Sequence, residues 1–192
     1  MSMFKTIQSN PGVITIFHNV HSQLSKSLLT KLQQSAKPYH QQVSSKHQSI
    51  LSKVLHGNSD SESKSPLEKY TIEQINSGFP TYDQLKLIKS FVNSHPSSKT
   101  TFIDVFPKFI DPKVLESLNG ANKYNFNISD LKIPDEMEIN ELLNTDYEKL
   151  LKDGWFKPPL VIDWDNSLIA NNEFTLDRIL KHYSAENHSN GD

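Results

Sequence analysis

The segment LVIDWDNSLIA, residues 160–170, carries the strongest local signal in the chain. Two short apolar runs flank Asp165 and Asn166, residue types that tolerate the left-handed backbone of a tight turn. The segment therefore predicts a β-hairpin with a two-residue turn. Apolar side chains at helical spacing within residues 174–183 predict a closing helix behind it.

A strand followed by a helix is predicted twice in the first half of the chain. The run GVITIF (12–17) is continuous, apolar and rich in β-branched residues, which indicates a strand buried on both faces. After a polar loop, Ser22 is a candidate N-cap for a helix over 23–36, whose leucines recur at helical spacing. A second strand over 70–75 and a helix capped by Thr81 repeat this arrangement.

The remaining segments carry weaker signals. Residues 37–66 are rich in Ser, Gln, Lys and His, and they predict a low-complexity, disordered insertion. Prolines interrupt residues 93–145, so we expect an irregular insertion there, with short helices over 112–118 and 136–151. Residues 184–192 are expected to form a disordered tail.

The predicted element order is β-α, insertion, β-α, irregular helices and β-β-α. A βαβ unit followed by a ββα unit is the order of thioredoxin-like α/β proteins. We therefore expect a single domain over residues 1–192. Its centre would be a four-stranded mixed sheet flanked by helices, with the irregular segments as insertions.

Composition excludes several classes of function. The chain has no cysteine, so disulfides, thiolate nucleophiles and Cys-ligated zinc sites cannot form from it. Arg178 is its single arginine and the lysines before residue 60 are widely spaced, which argues against a nucleic-acid partner. No apolar run approaches the roughly 20 residues that cross a bilayer, so we expect no membrane span.

The net charge of -2 is unevenly distributed along the chain. Residues 1–59 contain six lysines and no acidic residue, a composition that favours a mitochondrial transit peptide. Such peptides are rich in arginine, however, and removal of a long leader would also remove the strand predicted over 12–17. At this stage a cleaved presequence and a retained N-terminal segment both stay open.

Three segments share a further set of residues: FKTIQSNPGVITIFHN (4–19), GFPTYDQLKLIKSFV (78–92) and DGWFKPPLVIDWDNSLIANN (153–172). They contain an aromatic-Lys lead before a strand, a Pro-Thr-x-x-Gln-Leu helix start, and a Trp, Pro and Val/Ile-Asp-Trp pattern. In these features the chain resembles a fungal family of mitochondrial redox proteins with a thioredoxin-like fold. The resemblance implies a mitochondrial oxidoreductase that reduces small toxic molecules. The family's proposed catalytic cysteine aligns with Leu150, which has no nucleophilic atom and no titrating proton.

The loop after the first strand is the expected ligand site. Thioredoxin-like proteins hold an active thiol there, where a helix N-terminus stabilises a thiolate. Here the loop offers His18, His21 and Ser22. They are candidates to line a groove together with Pro159, for which the resemblance implies a cis peptide bond; the alternative is an ordinary proline at the entry of a strand. We favour the simpler alternative, in which Ser22 only caps the helix and both histidines face water.

Other polar and aromatic residues have structural interpretations. His18 and His21 have H-x-x-H spacing, but without a third ligand nearby they predict no metal site. Asp163 and Asp165 lie on one face of a strand, either as an acid-base pair or, as we favour, shaping the turn. Three aromatic residues near the hairpin are expected to pack in the core more than to line a groove: Trp155, Phe156 and Trp164.

Two functions from different classes are compatible with these observations. By resemblance the chain is an oxidoreductase that lacks a thiol of its own and uses a bound small thiol such as glutathione, with no other cofactor evident. By its own residues it is a non-catalytic thioredoxin-like module that binds a peptide or protein partner. The sequence alone does not decide whether it is an enzyme.

Overall fold

A computed structural model describes residues 11–37, 68–117 and 126–184. Apart from Lys37, the predicted insertion over 37–66 lies outside the described residues, and so does the predicted tail beyond Ser184. The described part contains four strands and seven α-helices: β1 (Gly12–His18), α1 (Gln23–Ala36), β2 (Tyr70–Asn76), α2 (Tyr82–Phe91), α3 (Pro96–Val105), α4 (Pro112–Ser117), α5 (Glu136–Leu143), α6 (Tyr147–Lys152), β3 (Leu160–Asp163), β4 (Leu168–Ala170) and α7 (Glu173–Lys181). Two short 3-10 turns, Pro107–Phe109 and Ile128–Asp130, lie between helices.

The strands form one mixed sheet in the order β2-β1-β3-β4. β1 runs parallel to β2, and β3 is antiparallel to both of its neighbours. Ile14 in the centre of β1 pairs with Ile72 on one side and with Asp163 on the other. The prediction of an α/β chain with a central four-stranded mixed sheet is confirmed.

Helices cover both faces of the sheet because successive side chains of a strand point to opposite sides. Ile14 and Ile16 pack in one core cluster with buried residues of α1 and α7. Phe17 belongs to a second cluster, which is built with α2, α3 and the segments that follow them. The two clusters account for the continuous apolar run in β1, since each face of this strand contacts a helical layer.

The helix α3 corrects the prediction that residues 93–145 are irregular. Pro96 does not break this helix but begins it, because the first helical position needs no N–H and suits the fixed φ of proline. The Nδ1 atom of His95 accepts the Ser97 N–H at 3.1 Å and caps the helix. The predicted helix over 136–151 is in fact two helices, α5 and α6, since Asp146 caps a new start.

The hairpin is also different from the predicted one. Asp163 pairs with Leu168, so the loop contains four residues and not two. The Asp163 carboxylate is buried and accepts hydrogen bonds from the Asn166 N–H at 3.1 Å and from its Nδ2 at 2.8 Å. These bonds give the buried carboxyl oxygens their partners and close the wider loop, and Ser167 takes the left-handed conformation at φ 54°.

Candidate functional site

Two of the four predicted groove residues, His18 and Pro159, lie at the same end of the two central strands, and Ser22 follows in the loop that begins there. In the antiparallel pair of β1 and β3, Phe17 lies opposite Leu160. The next residue outward on each strand is His18 or Pro159, so these two residues lie beside each other where β1 ends. The peptide bond between Pro158 and Pro159 is cis, as the resemblance implied. The polar loop that leads to Ser22 and α1 begins at this same end of β1.

Ser22 caps the first helix, as predicted. Its hydroxyl oxygen accepts the Ser25 N–H at 3.2 Å, and its own N–H donates to the Asn19 carbonyl at 3.0 Å. The first turn of α1 carries no acidic side chain. The positive end of the helix dipole therefore remains uncompensated by a local carboxylate.

His18 does not face water, which corrects the simpler alternative for this residue. It is the last residue of β1 and is only 5% exposed. Its Nδ1 atom lies 2.7 Å from the hydroxyl of Ser25, a fully buried residue of α1. Loss of hydration on burial lowers the pKa of His18 below its ordinary 6.5; a hydrogen bond with Ser25 acts against this, and the nearby charge of Lys26 acts in the same direction as burial. The ring is therefore neutral at pH 7.

His21 is exposed and lies in the loop, as the simpler alternative predicted for it. Its N–H donates to the Asn19 side chain at 2.9 Å, which closes the loop on itself. Within the described ranges, no group of three or more His, Asp or Glu side chains could hold a metal ion.

Sequence reasoning missed Ser25, the residue that ties the loop to the strand. The Ser25 hydroxyl accepts the Asn19 N–H at 3.0 Å in addition to its contact with His18. Its position did contain a signal, because Ser22 and Ser25 have the spacing of a C-x-x-C motif at a helix start. Two serine oxygens, one at the N-cap and one in the first turn of α1, thus have the spacing of a dithiol motif.

Residues 4–172 match the model of a family described as "Protein of unknown function (DUF1687)". The chain belongs to the DUF1687 family. No curated protein and no solved structure shows a significant match to it. The DUF1687 match contains the whole sheet and the groove residues, and it ends at Asn172, immediately before α7.

Leu150 in this DUF1687 chain is a core residue. It lies in α6, is 2% exposed and packs within the cluster on the α2 side of the sheet. Its environment is apolar, and it has neither the chemistry nor the accessibility of a reactive side chain. The structure thus agrees with the inference that Leu150 cannot take the role of the cysteine that the resemblance placed at this position.

Asp163 and Asp165 have structural roles in the DUF1687 chain. In addition to its bonds with Asn166, Asp163 accepts the Tyr183 hydroxyl at 3.0 Å, and Asp165 accepts the Val13 N–H at 2.9 Å. Both carboxylates are held by donors of the chain itself, so the acid-base interpretation finds no support. The three aromatic residues also pack as expected: Phe156 is buried, and Trp155 and Trp164 are half-buried against the core.

The rim of the site carries apolar side chains. Val20 in the loop and Leu24 in the first turn of α1 are 41% and 43% exposed. They lie within a few residues of His18 and Ser22 along the chain.

In the part of the DUF1687 chain that the structure describes, no helix is long and apolar enough to cross a membrane.

Proposed function

We propose that the protein is a mitochondrial redox protein of thioredoxin-like fold, which reduces small toxic molecules with the thiol of bound glutathione. A cysteine-free chain has no electron-carrying sulfur of its own. A small thiol held in the loop after β1 supplies that atom. The protein then contributes orientation and a favourable environment for the sulfur.

The observation that carries this proposal is that His18 and Pro159 lie at the same end of β1 and β3, where Ser22 caps the helix that follows β1. The β2-β1-β3-β4 order, with β3 antiparallel, supports a thioredoxin-like arrangement of these elements. In such folds a helix N-terminus faces a reactive sulfur at this end of the central strands. The site is polar and lacks a competing carboxylate in the first turn of α1.

Two glutathione thiols supply the electrons and protons that reduce one disulfide of the substrate. The thiolate of bound glutathione attacks one sulfur of a small disulfide, and the other sulfur leaves as a thiol after it takes up a proton. A second glutathione attacks the mixed disulfide and releases the second product thiol. Together the two glutathione molecules lose two protons and two electrons, and the substrate gains them.

Thermal unfolding with added ligand tests the proposal. Reduced glutathione is expected to raise the melting temperature in proportion to the logarithm of its concentration well above Kd. The protein should also accelerate reduction of bis(2-hydroxyethyl) disulfide by glutathione, and it should show no turnover without glutathione. The peptide γ-Glu-Ala-Gly, which lacks the sulfur, serves as the control ligand for turnover. Absence of both the thermal shift and the acceleration would reject the proposed function.

A second candidate is a non-catalytic module that binds a peptide or protein partner. The exposed apolar side chains of Val20 and Leu24 at the site favour it, since a peptide would cover them. This candidate predicts binding of extended apolar peptides that is lost in Leu24→Ser and retained in the control Leu87→Ser, a similarly exposed leucine of α2. Glutathione-dependent turnover would favour the first candidate over this one.

Mitochondrial location is part of the same proposal. It rests on the resemblance and on the lysine-containing, acid-free residues 1–59. Import of the full chain into isolated mitochondria, assayed by protection from added protease, tests it. Replacement of Lys5 and Lys26 by Glu is expected to reduce import, whereas a chain that is never protected contradicts the location.

A further inference from the structure

A hydrogen-bonded pair lies beneath the candidate site and has no role in the proposal so far. Ser25 and His18 are both buried, and their side chains are 2.7 Å apart. The Ser25 oxygen also accepts the Asn19 N–H at 3.0 Å. The pair therefore joins the end of β1, the loop and the first turn of α1.

The protons of this pair are assigned from the donors and acceptors around it. The hydroxyl of Ser25 has one proton, and among the described residues His18 Nδ1 is the acceptor within reach. The Ser25 hydroxyl therefore donates to Nδ1. A neutral imidazole whose Nδ1 accepts carries its own proton on Nε2.

The second ring nitrogen of His18, Nε2, has no hydrogen-bond partner among the described residues. Within the described residues the buried side-chain atoms without a partner are Tyr147 Oη and Arg178 Nε, and His18 Nε2 is not among them. Since His18 Nε2 is neither paired nor fully enclosed, this atom keeps some contact with solvent.

We propose that His18 donates a hydrogen bond from Nε2 to the sulfur of the bound thiol, and that Ser25 is the positioning residue that fixes this tautomer. The inference rests on the proposed function, because it assigns roles within the same site. The donor favours the thiolate over the thiol, since a hydrogen bond to an anion is stronger than one to its neutral form. The thiol proton goes to solvent, because Nδ1 is already occupied by the Ser25 hydroxyl.

The groups around His18 are compatible with this role. Ser25 and Lys26 of α1 act on the ring, the Ser77 N–H donates to the His18 carbonyl at 3.4 Å, and Pro159 lies beside it. The Lys26 charge disfavours protonation of the imidazole and favours an anion nearby. The hydrogen bond with Ser25 raises the pKa of His18, but burial and the Lys26 charge outweigh it, so the ring stays a neutral donor.

Calorimetric titration with glutathione and S-methylglutathione tests the inference, because only glutathione can form a thiolate. For the variant His18→Leu at about pH 8, we expect glutathione affinity to fall by roughly tenfold or more, the size of one charge-assisted hydrogen bond. S-methylglutathione affinity should change by less than about twofold. Ser25→Ala should act in the same direction, and His18→Gln, which keeps an N–H donor, should restore part of the difference. His21→Leu, in the same loop but exposed, is the matched control.

The pKa of the bound thiol, read from thiolate absorbance, is the second measurement. It should lie below that of free glutathione in the wild type and rise in Ser25→Ala. Equal losses for both ligands, or an unchanged thiol pKa in Ser25→Ala, would overturn the role of His18 and leave the proposed function intact. Failure of the wild type to bind either ligand would overturn both. If His18→Leu does not fold, His18→Gln and Ser25→Ala decide by the same two criteria.

Discussion

Ser22 and Ser25 differ from a redox dithiol by two atoms, oxygen in place of sulfur. Their spacing, and the bond of the Ser25 N–H to the Ser22 oxygen, are those of a capped helix start. A thiol at the cap would be stabilised as a thiolate by the same N–H groups and by the helix dipole. The cysteine-free chain makes this directly measurable, because an introduced cysteine is the only thiol present.

Ser22→Cys is therefore expected to give a thiol with a pKa below the ordinary value of about 8.5. Thr30→Cys, exposed on the same helix but away from its end, is the matched control and should keep an ordinary pKa. The rate of alkylation by iodoacetamide as a function of pH measures both. Equal pKa values in the two variants would show that the loop does not favour a thiolate.

Gly12 lies against the side chains of Tyr183 and Asp165 at the opposite end of β1. A Cβ atom there would lie 2.8 Å from the Tyr183 hydroxyl and 2.9 Å from an Asp165 carboxylate oxygen. Gly12→Ala must displace the ends of these two side chains. We expect it to lower the free energy of unfolding by about 1–3 kcal/mol. Urea denaturation measures the change.

Gly154→Ala is the control for Gly12→Ala. Gly154 has no atom within 4 Å of an added Cβ, but its φ is +73°. Its cost is expected to be about 1 kcal/mol, from the backbone conformation alone. A Gly12→Ala variant as stable as the wild type would mean that Tyr183 and Asp165 leave room for a side chain.

The helix α3 depends on a cap that titrates. His95 Nδ1 accepts the Ser97 N–H and also contacts the Arg178 guanidinium. Loss of hydration lowers the pKa of His95 below 6.5, and the charge of Arg178 lowers it further. Protonation would remove the acceptor and place two positive groups together.

Stability is therefore expected to fall on acidification. The pKa values of His18 and His95 are both lowered in the folded state, so the unfolded chain binds more protons below about pH 7. Their contribution is complete above the unfolded value of 6.5 and is lost as the pH falls toward the folded values. Melting temperatures between about pH 7.5 and pH 5 measure it. His95→Asn, which keeps a capping oxygen without a titrating ring, should flatten the decline, and an equally steep decline would contradict this assignment.

The elements were predictable where one pattern was dominant. The apolar run of β1, the leucines of α1 and the capping residues Ser22 and Thr81 each act locally, so their signal lies in neighbouring residues. α3 was missed because proline begins a helix at its first position but breaks a helix in its interior, and the sequence alone did not show which position Pro96 has. The four-residue hairpin loop was missed because it depends on the burial of Asp163. The buried carboxylate accepts a hydrogen bond from Tyr183, which is distant in sequence.

The site was predicted in the same uneven way. His18, Ser22 and Pro159 were found because their places relative to strands and a helix start are visible in the sequence. The burial of His18 was not found, because it arises when α1 folds back over β1 and brings Ser25 to the ring. Such contacts depend on the packing of two elements, and no periodicity in one segment encodes them.

At the scale of the whole molecule, Arg178 connects layers on opposite faces of the sheet. It lies on α7, donates from Nη2 to the Ile169 carbonyl of β4 at 3.1 Å, and contacts His95 at the start of α3. β4 ends the order of the described sheet, so this bond also satisfies a carbonyl at an edge. One guanidinium thus holds three elements, which a lysine cannot do in the same geometry.

Arg178→Lys is expected to lower the free energy of unfolding by about 1–3 kcal/mol, because a charged hydrogen bond to β4 and the contact with α3 cannot both be kept. Lys152→Met, at an exposed position of α6, is the control and should change it by less than about 0.5 kcal/mol. Urea midpoints measure both. Equal midpoints for Arg178→Lys and the wild type would show that the layers hold together without this residue.

The molecule as proposed is a thioredoxin-like frame whose sulfur comes from its ligand. Titration of the isotope-labelled protein with reduced glutathione, followed by amide NMR, tests this most directly. The account predicts shifts concentrated at His18, Ser22, Ser25 and Leu160, the described residues around the end of β1. Spectra that do not change, or changes confined to other surfaces such as α5 and α7, would contradict it.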